Sequence, residues 1–335
     1  MAIHAYKAVQ EHEFSENKCF LCGVSLTNEN KSDEHVFPKW LQHQFNLWNK
    51  TIYLINGTTI QYKNLKIPCC TSCNNGPLAE MEDKVSVAVK RGYREFSKLE
   101  RKDIALWLAK LFYGVLYREL FLPLDRKKPN NERIVSEERI RGYQLIHFFL
   151  QSVRIPVKME SFETGYPVTI YLFKVQKLKC NDYNFDFRDD INLKTIYARI
   201  GDIGILAAFD AGAQAVEGEE YFGRYLQKKL HPLQLEELGA NLFYKASLLD
   251  RNPKVLIKET ESEITIHHLP IAGLSMKSVF REWAEEDYIQ ILSTFTGAPV
   301  EFICPNESQI MTWLTNQNGE FTSIDLKNNP YRGYK

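Results

Sequence analysis

The sequence predicts an α+β protein in two parts. A small cysteine-stapled region spans residues 1–95, and a larger domain over 96–335 has helices first and mainly antiparallel strands after. Three observations carry this expectation. Five of the seven cysteines fall in the first quarter of the chain, four of them as two CxxC pairs. Helical periodicity then runs from residue 103 to about residue 150. Beyond it, β-branched and aromatic runs bounded by turn residues take over.

The totals are consistent with that plan. A chain of 335 residues with 44% apolar residues is long enough for two domains and a sizeable core, and it is not a disordered polymer. No apolar run reaches the length of a membrane span and no charged-then-apolar leader opens the chain, so the expected setting is cytoplasmic, with no membrane partner. Lys and Arg number 42, as do Asp and Glu, so the net charge does not advertise non-specific coating of nucleic acid; a local basic face remains compatible with it. The odd cysteine count argues against a disulfide framework, and Cys180 and Cys304 read as ordinary buried thiols.

The first element is a pair of zinc knuckles, Cys19-Phe20-Leu21-Cys22 and Cys70-Thr71-Ser72-Cys73. Each presents two thiolates to one ion, and together they complete a tetrahedral four-cysteine Zn²⁺ site. Cys69 adjoins Cys70, but only Cys70 has the CxxC spacing to Cys73. A closed site of this kind is structural, so chemistry must come from what the staple holds. The insert carries Asp33-Glu34-His35-Val36-Phe37-Pro38, and Asn74-Asn75 follow the second knuckle. A neutral imidazole at His35 can act as a general base. The Glu34 carboxylate and the Asn74 amide oxygen are hard ligands suited to Mg²⁺ or Mn²⁺. Adjacent strand residues face opposite ways, so Glu34 and His35 converge on one phosphate only if the backbone bends, as a bulge would permit, or if the two approach it from different sides.

The alternative for Asn74 and Asn75 is a simple turn ahead of Gly76-Pro77. Glu80, Glu82 and Asp83 then open a helix running to Lys90, where acids suit the N-terminus; Glu82 is the candidate third metal ligand. Trp40, Leu41, Phe45 and Leu47 are expected to pack beneath the site, and His43 to lie at the surface of a short helix.

This order, Cys-x2-Cys, Glu-His-x-x-Pro, Cys-x2-Cys-Asn, resembles the HNH, or His-Me finger, endonuclease family, and within it the zinc-stapled, endonuclease VII-like subgroup. The resemblance covers roughly residues 17–90. It implies a ββα-metal module with His35 as base, Glu34 and Asn74 on a catalytic Mg²⁺ or Mn²⁺, and Asn64 orienting the histidine. It further implies hydrolysis of nucleic-acid phosphodiesters, double-stranded DNA first, with a homodimer or a second nick needed to cut both strands. Fusions of such modules to larger domains resemble bacterial restriction and anti-phage proteins. The rival reading is a non-catalytic zinc module that binds nucleic acid or a protein.

After residue 100 no catalytic motif is evident. Residues 103–122 form an amphipathic pattern through Ile104, Trp107, Leu108, Leu111, Phe112, Val115 and Leu116, which is core or a dimer face. Arg126-Lys127-Lys128 lie in a polar loop, and 136–150 reads as another helix. Strands are expected over 168–175, 195–200 and 203–209, the last two joined by Gly201-Asp202. A further pair is expected over 255–259 and 263–267, and short helices over 223–230 and 307–314. His267-His268 lack metal-ligand company. The role expected of this domain is target recognition, regulation or dimerisation.

Overall fold

Strand β1 (Lys31–His35) runs antiparallel to a partner that the sequence places more than thirty residues away, in a computed structural model that describes residues 5–8, 14–251, 254–269, 278–306 and 310–331. The connection holds helix α1 (Lys39–Gln44) and a short antiparallel ribbon, β2 (Thr51–Tyr53) with β3 (Thr59–Gln61). Strand β4 (Lys66–Cys70) closes the pair, with Glu34 opposite Ile67 and His35 opposite Lys66. The chain then kinks through 74–78, where Gly76 (φ −103°, ψ −108°) leaves the helical path just before Pro77. A residue preceding proline is pushed out of the α region. The helix Ala79–Arg91 follows, with Glu80 and Glu82 in its first turn and Lys90 and Arg91 in its last, each complementing the helix dipole.

Contacts divide the chain into two units: Met1–Arg91, Lys98–Pro167 and Val255–Leu269, against Gly92–Ser97, Val168–Lys254 and Pro270–Lys335. The expected boundary between 95 and 96 therefore needs correction. The cause is the helix Arg101–Glu119, which is buried around nearly its whole circumference, including Trp107, Phe112, Tyr113 and Tyr117. A helix apolar on all sides must be enclosed. This one lies in the first unit and contacts β4, the helix Ala79–Arg91 and the helix Gln144–Gln151. Gly114 marks the closest approach, since a Cβ there would sit 3.0 Å from the Val36 methyls just after β1. The helix expected over 136–150 is two, Glu137–Arg141 and Gln144–Gln151, interrupted at Gly142 and Tyr143; Ser136 Oγ caps the first by accepting from Arg139 N at 3.1 Å.

The second unit is built on a five-stranded sheet in the order Lys229–Leu230, Thr169–Val175, Ile203–Ala208, Thr195–Ile200, Phe185–Asp190. Its pairs are antiparallel except the first. The turn at Gly201-Asp202 is present, with Gly201 at φ +66° and Ile200 opposite Ile203. The strand Phe185–Asp190 and the helices Pro232–Ser247 and Glu285–Thr296 were not anticipated from the sequence. The helix expected over 223–230 is displaced: Ala213–Gly223 ends where it was to begin, and Lys229–Leu230 is strand. For 307–314, residues 307–309 lie outside the described residues and 310–314 are not helical. In the first unit, Lys254 excepted, the strands Lys254–Glu259 and Ile264–Leu269 are neighbours in a three-stranded sheet completed by Val157–Glu160. There His268 stacks on Phe162 with ring centroids 5.0 Å apart, so it is a packed core histidine. No described helix is long and apolar enough to cross a membrane.

Candidate metal centre and hydrolytic site

The two cysteine pairs converge. The sulfurs of Cys19, Cys22, Cys70 and Cys73 all lie within 4.8 Å of one another, and Cys22 and Cys70 are 3.7 Å apart. Zn–S bonds of about 2.3 Å in a tetrahedron set the sulfurs about 3.8 Å apart, so the donor set fits a closed Zn²⁺ site. The first knuckle is shaped by Cys19 N donating to Val24 O and Gly23 N donating to Cys19 O, both at 2.9 Å. Gly23 sits at φ +74°, and a Cβ there would run into the Tyr6 ring at 2.3 Å. In the second, Cys70 ends β4 and its sulfur accepts from Cys73 N at 3.4 Å. Phe20 N donates to Pro68 O at 2.9 Å and ties the knuckles together. His147 Nε2–H donates to Phe20 O at 2.8 Å, and the imidazole stacks on Tyr113. Cys69 comes within 3.9 Å of Cys19 but is not among the four. Hydrogen bonds from Cys22, Cys69 and Cys73 pull the Cys19 thiol far down; the same bonds push Cys69 and Cys73 up, and Cys22 up to about 12.

Along β1 the pleat sends Ser32 and Glu34 to one face and Asp33 and His35 to the other. His35 is buried, and its Nδ1 lies 3.4 Å from Gln42 Nε2. The same Gln42 nitrogen donates to Phe37 O at 2.7 Å, which identifies it as the amide nitrogen. Nδ1 therefore carries the lone pair, at the end of a long contact. Burial first, then Lys66, Lys39 and Lys110, lower the His35 pKa to about 4, so the ring is neutral at pH 7. That is the protonation state of a base, though of a weaker one than an imidazole titrating near neutrality. Trp48 lies against both His35 and the exposed His43, with centroids 5.9 and 5.0 Å away.

Glu34 meets a cation that the sequence reading did not foresee. Lys110, wholly buried in the helix Arg101–Glu119, places Nζ 2.5 Å from Glu34 Oε1 and 2.7 Å from Glu82 Oε1. The same ammonium donates to His35 O at 2.5 Å and Val36 O at 2.8 Å. Burial alone would lower the Lys110 pKa, but Glu34 and Glu82 outweigh it and raise it. Glu82 is pushed up to about 7, by burial foremost, with Lys110 opposing. Both carboxylates expected on a divalent ion thus share a lysine. The sequence signal was a lysine set between Trp107, Leu108, Leu111 and Phe112, where a charge needs buried partners.

Asn74 is half-buried and donates from Nδ2 to Ser32 Oγ at 2.7 Å, which brings it to the strand face that Glu34 shares. Asn64 is exposed, its amide directed to Gln61 Oε1 at 3.5 Å; the side chain at His35 is Gln42 instead, a correction to the expected orienting residue. Asn75 is exposed. Leu41, Phe45 and Leu47 are core, and Trp40 stacks on Trp107. Among the described residues, the four cysteines are the only group of three or more His, Cys, Asp or Glu gathered as a metal set. No family model, curated protein or solved structure matches the chain.

Proposed function

We propose that the first unit is a zinc-stapled endonuclease of the HNH kind, hydrolysing nucleic-acid phosphodiesters, with double-stranded DNA the first substrate to test. The observation that carries this reading is His35: a neutral imidazole at the end of β1, on the strand pair that the four-cysteine cluster pins. In this reading His35 Nδ1 takes the proton of the attacking water after that water replaces the 3.4 Å contact from Gln42, which keeps Nδ1 free of hydrogen beforehand. Trp48 fixes the ring plane. Mg²⁺ or Mn²⁺ held by Glu34 and Asn74 would offset the charge gathering on the phosphate. The donor atoms fit in part: Lys110 takes Glu34 Oε1, and Asn74 directs its nitrogen, not its oxygen, to Ser32. Restriction of foreign DNA is the setting that such an activity suits.

The Lys110–Glu34 contact also favours a second reading, a zinc module that binds nucleic acid or protein without cutting. A plasmid-nicking assay separates them, using wild type and His35→Ala at equal zinc content, in Mg²⁺, Mn²⁺ and chelator. The nuclease reading expects metal-dependent nicking that falls by roughly 100-fold in the variant. Equal nicking, or none by either protein, refutes it.

A further inference from the structure

The second unit contains a cavity of about 620 Å³, within the roughly 300–1,000 Å³ of small-ligand sites. Its wall carries Lys177, Lys179, Lys229 and Lys327 against a single acid, Asp325. In a chain of zero net charge this is a local concentration of cations. None of the four lysines has a carboxylate partner among the described residues. Asp325 turns its carboxylate to its own turn, accepting from Lys327 N at 3.0 Å. Lys177 and Lys179 flank the inward-facing, buried Leu178, so the alternation of the chain sets both ammonium groups on the open side.

The walls are held before any ligand arrives. Gln176 joins three of them: its N donates to Leu230 O at 2.8 Å, its Nε2 to Ile324 O at 2.5 Å, and its Oε1 accepts from Leu326 N at 3.2 Å. Buried Asn184 fixes the lysine loop, exchanging two 2.8 Å hydrogen bonds with the backbone of Leu178. His231 accepts from Leu233 N at Nδ1, so its Nε2 carries the hydrogen and donates to Asn329 O at 3.0 Å. Four unpaired cations on a fixed concave wall, with Leu326 and Pro330 as an apolar side, make a site whose backbone is ordered in advance.

We propose that this cavity binds a small phosphate-bearing ligand of nucleotide size, its phosphates on the four lysines and its ring on the apolar side. The proposal does not depend on the nuclease reading, since every residue in it belongs to the second unit. The test is calorimetric titration of the full chain with ATP, inorganic tripolyphosphate and a short single-stranded DNA, at low and at physiological salt. The variants are Lys177→Gln/Lys179→Gln/Lys229→Gln and, as control, Lys127→Gln/Lys128→Gln in the exposed loop of the first unit. All are exposed side chains, so folding is preserved. ATP is expected to bind, to weaken with salt, and to lose about tenfold or more in affinity in the triple variant, with the control unchanged. No binding of ATP or tripolyphosphate at millimolar concentration, or equal binding by the triple variant, overturns the proposal. Binding of the oligonucleotide alone overturns it too, and assigns the lysines to a polynucleotide track.

Discussion

Replacing Lys110 with methionine tests how the end of β1 is held. Methionine nearly preserves the length and volume of the side chain, so packing is retained and the charge alone is removed. In the structure that charge faces Glu34 Oε1, Glu82 Oε1 and the carbonyls of His35 and Val36. Removing one partner of a buried ion pair costs about 3–5 kcal/mol, because the other is left uncompensated. Protonation of Glu82, whose pKa already sits at about 7, relieves part of this, so the lower end of that range is expected near neutral pH. The readout is zinc retention against a chromogenic chelator together with hydrogen exchange over 31–47, since a two-unit chain need not unfold in one step. Lys110→Met should release zinc faster and expose β1 and α1 to exchange. Adding Glu34→Gln and Glu82→Gln should restore most of the loss, because the compensated site has no uncovered charge. A single variant within about 1 kcal/mol of wild type, on the scale of an exposed pair, would refute the buried triad as the support of this strand.

Three further outcomes follow from the same geometry. Cys70→Ser should lose stoichiometric zinc by elemental analysis, while Cys69→Ser, outside the four, should keep it. His147 is fully buried, and its pKa is lowered to about 4 by burial, with the Phe20 carbonyl opposing. An unfolded histidine titrates near 6.5, so between about pH 6.5 and 4 the unfolded state binds the extra proton. His147's contribution to stability is therefore complete above that window and falls by about 3 kcal/mol as pH drops through it; His147→Gln, which can still donate to Phe20 O, should remove this share in unfolding curves and leave the like share of His35. In the nicking assay, Gln42→Leu should lower turnover by about tenfold with zinc retained, and Asn64→Ala should leave it unchanged.

The CxxC pairs and the Gly201-Asp202 turn were legible because each signal is local: a spacing of three, and a glycine where φ must be positive. Legibility ended where polar side chains are buried. The helix Pro232–Ser247 has no clean apolar stripe in sequence because Gln234, Glu236 and Glu237 face inward. Each finds partners far along the chain. Glu236 receives Arg188 and Tyr331, Glu237 receives Thr312 and Trp313 N, and Gln234 donates to Trp313 O and Thr322 O.

The domain boundary failed for the same reason. An apolar helix at 101–119 could have belonged to either part, and beside its apolar contacts two polar ones tie it to the first. Lys110 reaches back to β1, and Glu119 Oε1 accepts from Ile55 N at 2.8 Å in the β2–β3 connection. A buried polar residue is tolerated only where partners exist, and those partners are set by the tertiary fold. Periodicity scores such a residue as an error in the pattern, whereas in this chain it marks a contact between elements far apart in sequence. His35 illustrates both halves of this. Its identity as a candidate base came from a local motif, while the residue that sets its tautomer, Gln42, sits on the buried face of α1, where the sequence pattern had room only for apolar side chains.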